Sequence, residues 1–262
     1  MIRNCDVIAK VPNSVAELRS IYNAMDWSRG GEQWADRWGS STVQWQEMIL
    51  PRIARYLGKT RAALELGGGM GRLSRHLAGH CERLWVTEIS ERCHDGLQDV
   101  FRSSPHVRPM LTDGVSLSGI PEGSLDFVFS VFSLVHADRE TLQAALHQIK
   151  PRLRANGVVF LHHSNAAALA GGDPAVDRKL GRYRSLSVSA DTMRTASRAS
   201  GLRCIAQEIF GWDTDTLRSD CFSVLTLPGS CWDQPILVTD NPTFCTDAIE
   251  ARRRYQEKSD QS

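Results

Sequence analysis

The chain has 262 residues, of which 42% are hydrophobic, and its 31 lysines and arginines against 30 aspartates and glutamates leave a net charge of +1. This length suffices for one large domain or two small ones with a sizeable core. The balanced charge excludes the global positive field that attracts nucleic acid or an anionic membrane, so a small-molecule partner is expected.

The N-terminus and the cysteines narrow the class further. The stretch MIRNCDVIAKVPNSV lacks the apolar segment of a signal peptide, and no apolar run approaches the ~18 residues of a membrane-spanning helix. We therefore expect a cytoplasmic protein that makes no membrane contact. The seven cysteines include no CxxC pair, which favours free thiols over a zinc or redox site.

The predicted elements fall into three regions along the chain. Residues 1–57 contain four tryptophans and predict a helical cap or substrate lid. Residues 58–230 alternate short apolar runs with helix-like segments, which predicts an α/β fold with a mostly parallel, seven-stranded sheet and helices on both faces. Residues 231–262 are expected to form a C-terminal extension and tail.

Seven apolar runs carry the predicted sheet. The segment SADTMRTASRASG predicts a helix that Ser189 or Asp191 caps and Gly201 ends. The last two of the seven apolar runs, LRCIAQEIFGW and DCFSVLTLP, predict a terminal strand pair. In chain order the runs are AALEL, RLWVTE, VRPMLTD, LDFVFSVF, GVVFLHH, LRCIAQEIFGW and DCFSVLTLP.

A glycine-rich turn follows the first predicted strand in ALELGGGMGRL. Such a turn lets a ligand approach the backbone at the carboxyl ends of parallel strands. The dinucleotide pattern GxGxxG fails because Arg72 occupies the place of the third glycine, and the GK[ST] ending of a P-loop is missing. The acid Glu65 beside the turn repels a pyrophosphate but suits a cation such as the ammonium group of S-adenosylmethionine.

The series Glu65, Gly67, Gly69 and Gly71 resembles the first motif, [DE]xGxGxG, of the class I S-adenosylmethionine-dependent methyltransferases. The resemblance extends over about residues 50–230 and implies a Rossmann-like methyltransferase fold. It implies that Glu65 holds the amino end of the methionine moiety, directly or through water, and that the three glycines line it.

Further residues fall into register with this family. Glu88, followed by Ile89, ends the second strand near the offset at which an acid binds ribose hydroxyls. By the resemblance, Asp113 with Gly114 contacts the adenine amino group, and Ser130 passes under the cofactor. These motifs indicate the cofactor but not the acceptor, because the fold supports methylation of oxygen, nitrogen, carbon and sulfur.

Ionisable residues at the strand ends are candidates for activating an acceptor. A hydroxyl acceptor needs a base, and parallel strands bring their carboxyl ends together. His136 is the first candidate for the general base, His163 the second, and Asp138 either assists or caps the helix that begins at Arg139. His162 and His163 point to opposite faces, so only one should enter the cleft, where Asn165 would bind the substrate.

The motifs ILPRI, ELGGGMGR, FSLVHAD, FLHHSN and DCFS also resemble bacterial methyltransferases that act on sugar hydroxyls, including the mycobacterial methylmannose-polysaccharide type. This resemblance implies a sugar or oligosaccharide acceptor in polysaccharide or glycosylated natural product biosynthesis. Trp38, Trp45 and Trp212 would stack on sugar rings, although core packing explains tryptophan equally well.

Several alternatives remain open at this level. The acceptor could be an amine or a carbon atom of a small natural product, and a nicotinamide oxidoreductase or a non-catalytic binding protein would keep a similar loop. Some sugar methyltransferases of this fold use Mg²⁺, for which Asp138, His163 and Asp220 could serve, without the spacing of a metal motif such as HExxH. A homodimer is a family-level expectation.

Overall fold

The computed structural model describes residues 14–171, 180 and 184–259, and its strands form one sheet. The order across the described sheet is β3-β2-β1-β4-β5-β7-β6-β8. The strands are β1 (Ala62–Leu66), β2 (Arg83–Glu88), β3 (Val107–Leu111), β4 (Leu125–Ser130), β5 (Leu153–Ser164), β6 (Arg203–Phe210), β7 (Asp220–Thr226) and β8 (Leu237–Asn241).

The sheet is mixed and has one strand more than predicted. Strands β1 to β5 pair in parallel, β7 is antiparallel to both of its neighbours, and β8 pairs in parallel with β6. The prediction of seven strands is therefore wrong, because it omits the edge strand β8. Its apolar residues are exposed, Leu237 to 64%, so β8 lacks the buried alternating face by which a strand is recognised in sequence.

Helices cover both faces of the sheet. They are α1 (Val15–Ala24), α2 (Ser41–Val43), α3 (Leu50–Leu57), α4 (Ser74–Leu77), α5 (Glu91–Val100), α6 (Arg139–Ile149), α7 (Ala190–Ala199) and α8 (Phe244–Ser259). A π-helical stretch, Gln44–Ile49, joins α2 to α3, and 3₁₀ turns lie at Glu32–Ala35, Ala78–His80, Lys150–Arg152 and Ala166–Ala168. No helix in the described part of the chain is both long and apolar enough to cross a membrane.

The start of α7 shows how local sequence sets a helix boundary. The Ser189 hydroxyl accepts the amide of Thr192, and the Thr192 hydroxyl accepts the amide of Ser189. This reciprocal capping box satisfies two amides that the first turn leaves without helical partners. Of the two predicted caps, Ser189 is confirmed, and Gly201 follows the helix with φ +74°.

Two apolar layers hold the helices against the sheet. Phe127 and Phe129 of β4 face one layer, which also includes α3, α5 and α8, whereas Val128 between them faces the other, with α6 and α7. This period of two is what a strand covered on both faces requires. The covered sheet fixes the carboxyl ends of β1, β2 and β4, where the cavity described next lies.

Candidate cofactor and acceptor site

One cavity of about 570 Å³ opens at the carboxyl ends of the parallel strands. Its walls come from the β1 turn, the ends of β2 and β3, the loop after β4, and the N-terminal segment around Trp27 and Trp34. Its volume lies within the range of roughly 300–1,000 Å³ that small-molecule sites occupy. The position is also the one at which open α/β sheets bind their ligands.

The turn after β1 requires glycine on steric grounds. Gly67 and Gly69 have φ values of +71° and +56° and both line the cavity. A Cβ atom at Gly67 would overlap the Ser133 hydroxyl, and one at Gly69 would lie 3.7 Å from the Trp27 ring. The turn is thus packed between the β4 loop and the N-terminal segment, with its backbone exposed to the cavity.

Glu65 places a buried acid beside this turn. The residue is 2% exposed and lines the cavity, and its Oε2 has no hydrogen-bond partner among the described residues. Burial raises the pKa of Glu65 to about 7. The Ser74 hydroxyl and the Arg72 guanidinium oppose this rise only in part, and a cationic ligand group would favour the ionised carboxylate further.

Glu88 links the end of β2 to the same turn. Its Oε2 accepts the amide of Gly69 at 2.8 Å, and its Oε1 accepts the amides of Ile89 and Ser90 at 2.7 and 3.2 Å. Burial nevertheless raises the pKa of Glu88. Three backbone amides therefore fix a second carboxylate in the cavity wall, one strand away from Glu65.

The loop after β4 forms another part of the cavity wall. It includes His136, which is half-buried, and Phe132, which adopts a left-handed φ of +69°. This conformation is uncommon for a bulky residue and is typical of a functional loop. The Phe132 ring packs edge-on against Trp212, with a centroid distance of 4.3 Å.

A buried polar network stands behind this wall. Asp220 is fully buried and accepts hydrogen bonds from Arg184 Nε at 2.6 Å and from Ser219 Oγ at 2.6 Å, with His162 Nε2 at 2.9 Å. Although burial opposes it, the Arg184 guanidinium and the His162 ring hold the pKa of Asp220 well below its usual range. The backbone amide of Trp212 also donates to Asp220. Both Arg184 and Trp212 line the cavity.

Comparison with known proteins shows which family the residues around this cavity resemble. Residues 63–157, which include the β1 turn, Glu88 and His136, match the family model described as a methyltransferase domain. The chain therefore contains a methyltransferase domain. No protein of curated function matches its sequence.

Solved structures share the fold of this methyltransferase. N-methyltransferase NodS from Bradyrhizobium japonicum, in complex with S-adenosylhomocysteine, is 16% identical, with 82% of this chain and 100% of that chain covered and a TM-score of 0.58. An S-adenosylmethionine-dependent methyltransferase from Leishmania major is 14% identical, with coverages of 85% and 81% and a TM-score of 0.55. The [4+2]-cyclase SpnF is 15% identical, with coverages of 79% and 85% and a TM-score of 0.54. These likenesses show the fold, and the presence of a cyclase among them means that fold does not determine the reaction.

Several residues predicted to hold the cofactor lie elsewhere in the methyltransferase. Gly71 does not line the cavity, because it packs beside Phe101 of the α5 end. Asp113 is exposed and its Oδ1 accepts the amides of Val115 and Ser116, so its side chain stabilises its own turn. Ser130 is buried and donates to the carbonyl of Leu66.

The predicted second base and its neighbours are also structural. His163 is fully buried, its Nδ1 lies 2.8 Å from Ser164 O and its Nε2 lies 2.8 Å from Ser223 Oγ, and burial lowers its pKa to about 4. Asn165 bonds to backbone atoms of Arg218 and Ala190. Neither side chain lines the cavity, because strand pairing with β7 encloses this end of β5.

Asp138 and two predicted sugar-binding tryptophans have packing roles. Asp138 caps α6 by accepting the amide of Thr141 at 2.8 Å. Trp38 packs edge-on against Phe244 and Trp45 stacks on His76, and neither lines the cavity. Core packing, the alternative considered for tryptophan, applies to both.

The predicted Mg²⁺ site is not supported. In the part of the chain that the structure describes, no three His, Cys, Asp or Glu side chains come together as a metal site. Asp138 is engaged at the α6 start, His163 is bonded to Ser164 and Ser223, and Asp220 is occupied by its own donors.

The structure also brings to the cavity residues that sequence reasoning missed. Trp27 and Trp34 pack edge to face at 5.2 Å, and belong to the same tryptophan cluster that drew attention to Trp38 and Trp45. Arg72 was visible only as a departure from the dinucleotide pattern. Arg184 carries no local signal, because only the path of the chain brings it beside Asp220.

Proposed function

We propose that this methyltransferase transfers a methyl group to a hydroxyl of a sugar or oligosaccharide, with His136 as the general base. When bound, S-adenosylmethionine supplies an electrophilic methyl group on a sulfonium centre. The cavity suits this cofactor, since the buried Glu65 Oε2 has no hydrogen-bond partner among the described residues and the glycine turn lines the cavity beside it. Glu65 would hold the ammonium group and Glu88 the ribose hydroxyls.

The position of His136 is the observation that carries the proposed reaction. A neutral hydroxyl is a poor nucleophile, and an imidazole can accept its proton near neutral pH. His136 lines the cavity from the loop after β4, as the glycine turn does from the end of β1. Asp213 also lines the cavity and could in principle accept a proton. Its side chain is 56% exposed and lies 4.0 Å from the Arg37 guanidinium, so it is less suited than His136 to act as a base inside the cavity.

The wall beyond His136 supports a ring with several hydroxyls as acceptor. Trp212 contributes an apolar indole ring to the cavity wall, and Arg184, whose Nε donates to Asp220, contributes a charged side chain to it. Trp27 and Trp34 line the cavity from the N-terminal side. Aromatic surfaces with fixed polar groups match the apolar CH faces and hydroxyls of a sugar.

We also propose that residues 1–57 act as a lid over the methyltransferase domain of residues 58–230. Arg19 Nε donates to the carbonyl of Ile89 at 2.8 Å, and Arg37 Nη1 donates to that of Trp212 at 2.6 Å. These bonds join the described part of the lid to both ends of the cavity. Closing the lid would exclude water from the transfer step.

Mass spectrometry of products from sugars and oligosaccharides tests the proposal. In the wild type, one or more of these acceptors should gain a methyl group. His136→Ala should keep wild-type affinity for S-adenosylhomocysteine while transfer falls by about 10²–10⁴-fold, as for loss of a general base. Product from amines alone, unaffected by His136→Ala, would favour N-methylation instead.

A further inference from the structure

A glutamine of the lid has a side-chain amide that no other described residue satisfies. Gln33 lies in the 3₁₀ turn Glu32–Ala35 and lines the cavity. Its Oε1 and Nε2 atoms are both buried, and neither has a hydrogen-bond partner among the described residues. Buried polar groups in folded proteins nearly always have partners, so an amide that lacks partners for both atoms requires an explanation.

Contacts on both sides hold the turn that carries Gln33. The Glu32 carboxylate accepts hydrogen bonds from the amide and the hydroxyl of Ser41, at 3.0 and 2.7 Å. Further along the chain, Arg37 donates to the carbonyl of Trp212 at 2.6 Å. A shift of the whole turn would break these bonds, so a group that enters the cavity is the simplest source of partners for Gln33.

A second glutamine of the lid, Gln44, shows the contacts of a structural residue. Its side chain is fully buried and does not line the cavity, and its Oε1 accepts a hydrogen bond from the Arg72 guanidinium. Gln33 lines the cavity and has no such bond to another described residue. The comparison therefore favours a role in ligand binding for Gln33 and a role in packing for Gln44.

The position of Gln33 along the lid favours the acceptor over the cofactor as its ligand. Arg19 joins the lid to the carbonyl of Ile89, after β2, where the ribose of the cofactor is proposed to bind. Arg37 joins the lid to Trp212, which belongs to the proposed acceptor wall. Gln33 lies close to Arg37 in sequence, in the part of the lid that contacts the acceptor wall.

The chemistry of the amide indicates which ligand groups would satisfy it. A glutamine offers an acceptor, Oε1, and a donor, Nε2, side by side. Two neighbouring hydroxyls of a sugar ring offer the same combination in return, since each hydroxyl both donates and accepts. We infer that Gln33 binds two neighbouring hydroxyls of the sugar acceptor that are not themselves methylated. This inference rests on the proposed function and adds to it a residue that selects among sugars.

Gln33→Leu tests the inference because it keeps a similar volume and removes both polar atoms. The midpoint of thermal unfolding of the free protein should not fall, since the substitution breaks no hydrogen bond with a described residue. The calorimetric Kd of S-adenosylhomocysteine should change by less than about twofold. The KM of the sugar acceptor should rise by about 5- to 100-fold with kcat nearly unchanged, as for the loss of two hydrogen bonds to a bound substrate.

Monodeoxy sugars and two control variants make the result decisive. The kinetics use the sugar or oligosaccharide that the wild type methylates fastest, together with its monodeoxy analogues. The wild type should discriminate against the analogues that lack either bound hydroxyl, and Gln33→Leu should lose this discrimination. Gln98→Leu changes an exposed glutamine of α5 and should alter none of these quantities. Gln44→Leu should lower the midpoint of thermal unfolding, because it removes the acceptor of the buried Arg72.

The outcomes separate this inference from the proposed function. A methylated sugar whose KM is unchanged in Gln33→Leu would overturn the inference and leave the proposed function standing. Weaker binding of S-adenosylhomocysteine by Gln33→Leu would overturn it as well, because it would place Gln33 at the cofactor. A fall in thermal stability like that of Gln44→Leu would indicate a structural role and would also overturn it. No methylated sugar from the wild type would contradict the proposed function and, with it, this inference.

Discussion

At the scale of single residues, Glu65 is a buried carboxyl group in the cavity wall. Its ordinary pKa is 4.5 and burial raises it to about 7, so between these values the folded protein holds a proton that the unfolded chain has lost. Glu65 therefore stabilises the fold less as pH rises through this window. A bound cationic ligand group would instead favour the ionised form of the Glu65 carboxyl group over its protonated form.

As pH rises, the titration of Glu65 should change the stability of the free protein and its affinity for the cofactor in opposite directions. As pH rises from 4.5 to 7, Glu65 should lower the free energy of unfolding of the free protein. Over the same range, S-adenosylhomocysteine should bind more tightly, by up to about tenfold per pH unit if only the ionised acid binds the ammonium. Thermal unfolding and calorimetry at several pH values measure both trends.

Glu65→Gln provides the control for this pH prediction. The amide is similar in size and does not titrate, so the variant should lose the pH dependence assigned to residue 65 and bind S-adenosylhomocysteine weakly throughout. Wild-type pH profiles that persist in Glu65→Gln would contradict the assignment.

Asp220 makes a prediction about stability rather than binding of the cofactor. Asp220→Asn leaves Arg184 buried beside a neutral group, and breaking such a pair costs about 3–5 kcal/mol of unfolding free energy. The acceptor KM should also rise, because Arg184 and Trp212 lose the carboxylate that positions them. Urea unfolding and steady-state kinetics measure the two effects.

Asp233→Asn is the matched control for Asp220→Asn. Asp233 pairs with Arg203, which is 54% exposed, so its loss should cost at most about 1 kcal/mol and leave the acceptor KM unchanged. Equal costs for the two variants would contradict the view that burial makes the Asp220 network special.

At the scale of elements, the turn after β1 depends on backbone conformation as much as on charge. Gly67→Ala adds a Cβ at a positive φ and against Ser133, so it should abolish detectable binding of S-adenosylhomocysteine and cost about 1–3 kcal/mol. Gly79→Ala adds a Cβ with no atom within 4 Å and should change neither quantity appreciably. Tight binding by Gly67→Ala would show that the turn is not the cofactor site.

The elements also show how far the sequence alone could reach. Strands β1 to β7 were predictable from their apolar runs, whereas the short apolar run at β8 is exposed and was not recognised as a strand. The acids Glu65 and Glu88 were placed in the cavity by their position at strand ends. Asp113 has the same kind of position, but hydrogen bonds within its own turn draw the side chain away.

The acceptor wall was less predictable for a physical reason. Arg184 reaches the cavity through its bond to Asp220, 36 residues further along the chain. His162 and His163 look equivalent in sequence to a strand-end histidine such as His136. Pairing with β7 encloses both histidines, and His162 also packs against Phe210 and Phe222; such contacts exist only in the folded sheet.

At the scale of the whole molecule, cofactor binding should couple the lid to the sheet. Trp27 lies over Gly69 and Arg19 bonds to Ile89, so a ligand in the cavity contacts both parts of the protein. S-adenosylhomocysteine at 100 times its Kd should stabilise the fold by about 2.7 kcal/mol. It should also slow proteolytic cleavage within residues 14–38, and equal cleavage with and without ligand would contradict the lid.

A crystal structure of the complex with S-adenosylhomocysteine would show directly where the cofactor binds. We expect the amino group at Glu65 and the ribose hydroxyls at Glu88, with the sulfur facing the side of the cavity that holds His136. A ligand outside this cavity, or a ribose remote from Glu88, would contradict the proposed cofactor site.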